Sequence, residues 1–268
     1  MKNYVLIFDA ECPICKTYSG AFVKAGMLDK NGREAYQDMS NQTCSLIDKK
    51  RARNEIALVN TNTGEVSYGI DSVFKVVANS YPVFKRLFSF SPFYWIMKRL
   101  YFFISYNRKV IIPGNSKEDT CTPDLNIKYR WTYIVFTWVI SSVILTRYSH
   151  LLTGLIPVSK FYREFIICGG QIIFQALVIN FIAKDKVHEY LGNMMTISFF
   201  ASLLLLVFMS IANLLTITNP LIYASFFMFV VAGMLLEHAR RMKLIGIPWI
   251  ASVGWVIYRL IVLTFILN

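Results

Sequence analysis

From residue 131 onward the chain reads as five apolar stretches, 131–152, 165–183, 194–215, 220–236 and 246–267, separated by polar or proline-containing breaks. Most approach the ~20 residues that cross a bilayer as a helix. The pattern therefore predicts an all-α transmembrane helical bundle of about five spans. The fourth stretch is shorter, and the break before it is the uncharged Thr216-Ile217-Thr218-Asn219-Pro220. Four crossings, with a hairpin dipping into the bilayer, is the competing arrangement.

Before residue 131 the pattern is different. Tyr4 to Phe8 is β-branched and aromatic, and it ends at Asp9. A Cys-Pro-Ile-Cys turn follows, and then Tyr18, Ala21, Phe22 and Ala25 recur at helical spacing. That is strand, turn, helix. Glu55 to Asn60 and Glu65 to Tyr68 flank the turn signal Asn62-Thr63-Gly64 and predict a β-hairpin. Val73, Val76 and Val77 predict a helix over 71–79, with more helix through the aromatic stretch Phe93 to Tyr106. This order predicts an α/β thioredoxin-like domain over 1–112, a polar linker over 113–130 and a transmembrane domain over 131–268.

Charge sharpens the division. The chain is 55% hydrophobic and 16% charged, against about 25% charged for soluble domains. Residues 1–130 hold 19 Lys/Arg and 12 Asp/Glu, leaving 9 and 4 for the remainder. The net charge of +12 comes as single residues and short clusters without a nucleic-acid motif, which points away from nucleic acid and toward the flanks of membrane helices.

Basic residues also give an orientation. With five spans and the N-terminus inside, one side receives Arg108, Lys109, Lys117, Lys128 and Arg130, then Lys184 and Lys186, then Arg240, Arg241 and Lys243. The other receives only Arg147, Lys160 and Arg163. The opening apolar stretch, cut off at Asp9, is too short for a signal-peptide core. The expectation is a multi-pass protein of the cell (inner) membrane with a cytoplasmic N-terminal domain.

In a reducing compartment, five cysteines do not suggest a disulfide framework. Cys12 sits at the mouth of the predicted helix, where free N–H groups and the helix dipole favour thiolate. Cys15, one turn further in, is placed to resolve a mixed disulfide on Cys12. Asp9 and Glu11 oppose the thiolate by their charge. Asp9 reads either as a strand-end residue or as a proton acceptor for Cys15. The competing readings of the pair are a zinc site and an inert remnant. Zinc needs about four Cys or His ligands, residues 1–149 contain no His, and neither Cys44 nor Cys121 belongs to a second close pair. No metal or other cofactor is expected.

The stretch Phe8-Asp9-Ala10-Glu11-Cys12-Pro13-Ile14-Cys15 resembles the opening of the DCC-type thiol-disulfide oxidoreductases, small thioredoxin-like proteins with a strand followed by Asp-Gly-x-Cys-x-x-Cys. The resemblance continues in Tyr36-Gln37-Asp38, in the hairpin with Gly64 and Gly69 leading to Asp71-Ser72, and in Tyr106-Asn107-Arg108. It covers roughly residues 3–112. It implies a thioredoxin-like fold and exchange chemistry at Cys12 and Cys15. Ala10 stands where the family has Gly, and no Pro precedes Glu55, where a thioredoxin has its cis-proline.

After the linker the only cysteine is Cys168, beside Gly169 and Gly170, which suggests close helix packing rather than a transmembrane dithiol relay. Gln171, Gln175, Asn180 and Asn213 are expected to hydrogen-bond between helices, and Glu237, His238, Arg240 and Arg241 to form a solvated interfacial cluster. Arg259, inside the last stretch, reads equally as a functional charge or as a snorkelling one. The aromatic run 93–103, with Lys98 and Arg99, reads as domain core or as a helix lying on the headgroups. The sequence thus supports a membrane-tethered thiol-disulfide oxidoreductase whose partners are a protein or small thiol/disulfide substrate and the bilayer. The rival is a transporter-like or assembly protein whose redox domain senses or docks.

Overall fold

The computed structural model describes residues 1–114, 123–157 and 160–267. Lys117 and Cys121, within 115–122 of the expected linker, lie outside the described residues. The chain divides into two units, Met1–Tyr129 and Arg130–Asn268.

In the first unit, β1 (Tyr4–Phe8) leads through the Cys motif into α1 (Pro13–Lys24), which returns to β2 (Arg33–Ala35). Two short helices, α2 (Asn41–Leu46) and α3 (Lys49–Asn54), precede β3 (Ala57–Asn60) and β4 (Val66–Tyr68). Then come α4 (Ile70–Ser80), α5 (Lys85–Phe88) and α6 (Ser91–Ile111). The strand order is β2-β1-β3-β4. β1 runs parallel to β2, with Leu6 opposite Arg33. It runs antiparallel to β3, with Leu6 opposite Leu58. This is a small mixed sheet with helices, of thioredoxin-like order.

Because side chains alternate across a strand, the sheet has two apolar faces. Leu6, Leu58 and Val76 pack with Tyr18 and Phe22 on one. Ile7, Ala57 and Val59 pack with Ile47 and Ala52 on the other. Gly69, at φ 62° between β4 and α4, occupies a conformation that only glycine adopts without cost. A Cβ there would also run into the Glu55 carboxylate and the Tyr101 ring.

The second unit is helical: α7 (Ile127–His150, starting just before it), α8 (Arg163–Ile182), α9 (Val187–Leu214), α10 (Pro220–Leu244) and α11 (Ile250–Leu267). Among the described residues three helices are long and apolar enough to cross a membrane: Arg163–Ile182, Lys184–Leu214 and Pro220–Leu244. The expected fourth stretch is thus a helix of 25 residues, longer than its apolar part, because it continues through Glu237 to Leu244. Ile250–Ile266 is apolar but shorter.

This unit buries polar residues among its apolar core and leaves large apolar residues on its outside. Thr137, Ser142, Gln171, Gln175, Asn193 and Thr196 are buried, while Phe181, Leu214, Phe229 and Leu236 are exposed. In water that arrangement is unfavourable. In lipid it is the expected one, since apolar side chains solvate in the bilayer and polar ones find each other. Helix contacts are held by Trp138 Nε1 donating to the Phe165 carbonyl at 3.1 Å, Tyr258 Oη to the Ile167 carbonyl at 2.8 Å and Tyr148 Oη to the Tyr223 carbonyl at 2.7 Å. Gly169 packs on Trp138, and a Cβ on Gly170 would collide with the Tyr258 hydroxyl. The glycines beside Cys168 are indeed packing residues.

Three expectations need correction. Gln171 and Gln175 are buried, yet their amides have no partner among the described residues. Asn180 and Asn213 are exposed, so none of the four forms the expected interhelical bond. His238 is fully buried rather than solvated, bonded to Tyr190 Oη at 3.1 Å and Ser252 Oγ at 2.9 Å.

Candidate functional site

The site forms where β1 ends and α1 begins. Cys12 is the N-cap of α1, with extended backbone, and its sulfur accepts the Cys15 N–H at 3.3 Å. Pro13 fills the first helical position, where no donor is needed. Ala10 sits in an ordinary turn: among the described non-glycine residues only Asn3 and Thr216 have positive φ. The family's Gly is therefore not required here. Both sulfurs are enclosed, with Cys12 6% and Cys15 5% exposed, and they pack with Phe8.

The two thiols are electrostatically unequal. The Cys15 thiol donates to the Cys12 sulfur and brings Cys12 down to about 7; burial opposes this, the Cys15 N–H and the Arg108 charge assist, and Asp9 opposes. Cys15 is pushed far above the ordinary thiol range, first because its proton is held by Cys12 and then by burial. Tyr18 closes on Cys15, and burial pushes its hydroxyl up as well.

Asp9 is buried; its backbone carbonyl accepts the Cys12 N–H at 3.3 Å, while the partners of its carboxylate are Glu11, Gln37 and Arg108 rather than either cysteine. Oδ1 accepts the Glu11 N–H and the Gln37 amide, each at 3.0 Å. Oδ2 receives Arg108 Nη2 at 3.1 Å. Arg108 also donates to the Arg53 carbonyl at 3.0 Å. It therefore spans from the end of β1 to the carboxyl end of α3, where a cation complements the helix dipole.

The sequence reads Arg108 as a flanking charge, and both Arg108 and Gln37 also stand within the family resemblance, where neither has an assigned role. Ser105, Asn107 and Arg108 are buried in the last two turns of α6, and the sequence shows only that they are polar, not that they turn inward. Cys44 lies in α2, away from the pair, and Cys168 in α8 belongs to the other unit. Among the described residues no group of three or more metal-ligating side chains forms.

Beside Cys15 an apolar groove of about 290 Å³ opens, lined by Ile14, Tyr18, Ile56, Leu100, Tyr101 and Ile104. The Ile56 N–H, on the turn before β3, is taken by Tyr101 Oη at 3.0 Å.

The family model for the DCC1-like thiol-disulfide oxidoreductases matches residues 6–112. Those residues are a DCC1-like domain. The match begins in β1 and ends one residue past α6, so it takes in the cysteine pair, Gln37 and Arg108. No curated protein and no solved structure matches the chain. The DCC1-like domain thus accounts for the first unit and leaves the helical unit to its own physical chemistry.

Proposed function

We propose that the protein is a membrane-tethered thiol-disulfide oxidoreductase that exchanges disulfides through Cys12 and Cys15. The observation that carries this is the asymmetry of the two thiols: an N-cap sulfur brought to about 7 beside one whose proton it holds. At neutral pH a large share of Cys12 is then thiolate, the nucleophilic form.

In this reading the Cys12 thiolate attacks one sulfur of a substrate disulfide. The substrate S–S bond breaks, and the departing thiolate takes up a proton. With Cys12 in a mixed disulfide, the charge that held the Cys15 proton is gone. Cys15 then gives up that proton and attacks the Cys12 sulfur, and the second substrate thiol leaves. Two thiols of the protein become one disulfide as one substrate disulfide becomes two thiols. Asp9 acts through Arg108, fixing the guanidinium that favours the Cys12 thiolate. The substrate is a protein or small-molecule disulfide whose apolar part fits the groove beside Cys15.

The reading places this domain in the cytoplasm, on the strength of the basic residues Lys128, Arg130, Lys184, Lys186, Arg240 and Arg241 along the helical unit. There the dithiol rests mainly reduced. Equilibrating the purified full-length protein in glutathione buffers, then alkylating and mapping by mass spectrometry, tests the chemistry. A reversible Cys12–Cys15 disulfide is expected. Glutathione adducts alone, or no oxidation of this pair across the range, would contradict the exchange role.

A further inference from the structure

The segment 81–104 of the DCC1-like domain is rich in large apolar residues that the domain does not bury. Val83 is 78% and Trp95 60% exposed, with Phe84, Leu87, Phe90 and Ile96 also open. The segment is anchored through other residues, Tyr101 in the cluster under the sheet and Phe88 and Phe93 stacked on Phe74, and these exposed side chains belong to neither of the two clusters that pack on the sheet. A contiguous apolar surface of this kind marks an interaction site.

Its charges are of one sign. Residues 81–104 contain Lys85, Arg86, Lys98 and Arg99 and no Asp or Glu. On α6 the exposed residues Ile96, Leu100 and Ile104 recur every four positions and form one stripe. Arg99 lies over the Trp95 ring at 5.6 Å beside that stripe. Aromatic rings, aliphatic side chains and a basic border together are the makeup of a helix that lies in a lipid interface. The same polypeptide continues into helices long and apolar enough to cross a bilayer, so a lipid surface is the partner that is always present.

We propose that residues 81–104 dock the DCC1-like domain on a bilayer surface containing anionic lipid. Phe84, Leu87, Phe90, Trp95 and Ile96 enter the headgroup and upper acyl region, and Lys85, Arg86, Lys98 and Arg99 meet the lipid phosphates. Leu100 and Ile104 belong both to this face and to the groove beside Cys15. Docking therefore sets the mouth of that groove at the lipid interface, where an apolar substrate concentrates. The proposal rests on the exposed face and its charges and stands apart from the exchange chemistry.

The test uses the full-length protein in nanodiscs of phosphatidylcholine, with and without phosphatidylglycerol, and a phosphatidylcholine bearing an acyl-chain diazirine. After photolysis, labelled peptides are mapped by mass spectrometry, with α8 to α10 as the internal standard. Label on 81–104 is expected in the anionic discs, reduced about ten-fold in neutral discs, in molar salt and in the variant K85E/R86E/K98E/R99E. An unchanged rate of Cys12 alkylation shows that the variant is folded. Two results overturn the proposal: label confined to the helical unit, or label on 81–104 that ignores lipid charge, salt and the variant alike.

Discussion

Asp9 and Arg108, 99 residues apart, form a 3.1 Å salt bridge in which both side chains are buried. It ties the last helix of the domain to the strand end that presents the dithiol. Removing one partner leaves a buried charge unpaired, which costs about 3–5 kcal/mol. Arg108→Met should therefore lower the thermal stability of the domain and raise the Cys12 pKa from about 7. Adding Asp9→Asn should recover part of both. A single variant that melts with the wild type and keeps its alkylation profile would show that the pair is dispensable.

The two thiols give stability opposite pH dependences. Cys12 is depressed from an ordinary 9.0 to about 7 in the folded protein, so its contribution grows from pH 7 to 9 and is lost below 7. Cys15 is raised, so above pH 9 its unfolded form ionises while the folded form stays protonated, and stability falls. Thermal unfolding of the reduced protein should show a maximum near pH 9. Cys12→Ser should remove the rise below that maximum, and a flat profile in both proteins would refute the assignment.

Gly170 is required by packing. Gly170→Leu drives a side chain into the Tyr258 hydroxyl and breaks its bond to the Ile167 carbonyl. Overpacking of this kind costs about 1–3 kcal/mol. The variant should melt earlier in detergent, while Gly233→Leu, where nothing lies within 4 Å, should not. Equal melting of the two variants would mean that α8 and α11 do not pack as described.

Much of the first unit was legible in the sequence. β1 shows as a β-branched, aromatic run, the hairpin shows through Asn62-Thr63-Gly64, and α4 shows through Val73, Val76 and Val77. β2 was not legible, because Arg33-Glu34-Ala35 has no apolar alternation; it is a strand only because the backbone of β1 pairs with it. Arg108 was misjudged for a related reason: a linear count of basic residues cannot see a carboxylate 99 residues away. The helical unit showed its apolar stretches but not its ends. α10 runs on to Leu244 because Glu237 pairs with Arg240 and Arg241, while Arg241 reaches Asn193 at 3.0 Å. The buried polar residues were visible as letters; which of them find partners is a matter of packing.

The cytoplasmic placement has its own test. Lys30 is exposed on the domain, and a variant whose only cysteine is Lys30→Cys should resist a membrane-impermeant maleimide in intact cells. Labelling should appear only after lysis. Full labelling of intact cells would put the domain outside and reverse the charge-based orientation.

Trapping tests the central claim most directly, because it follows the division of labour between the two sulfurs. With Cys15→Ser, the mixed disulfide on Cys12 cannot be resolved, and the full-length protein should accumulate disulfide-linked partners that dithiothreitol releases. With Cys12→Ser, the remaining thiol is enclosed and held protonated, and partners should be absent. Partners on Cys15→Ser alone are the predicted result; equal trapping by both variants, or by neither under mild oxidation, would contradict the account.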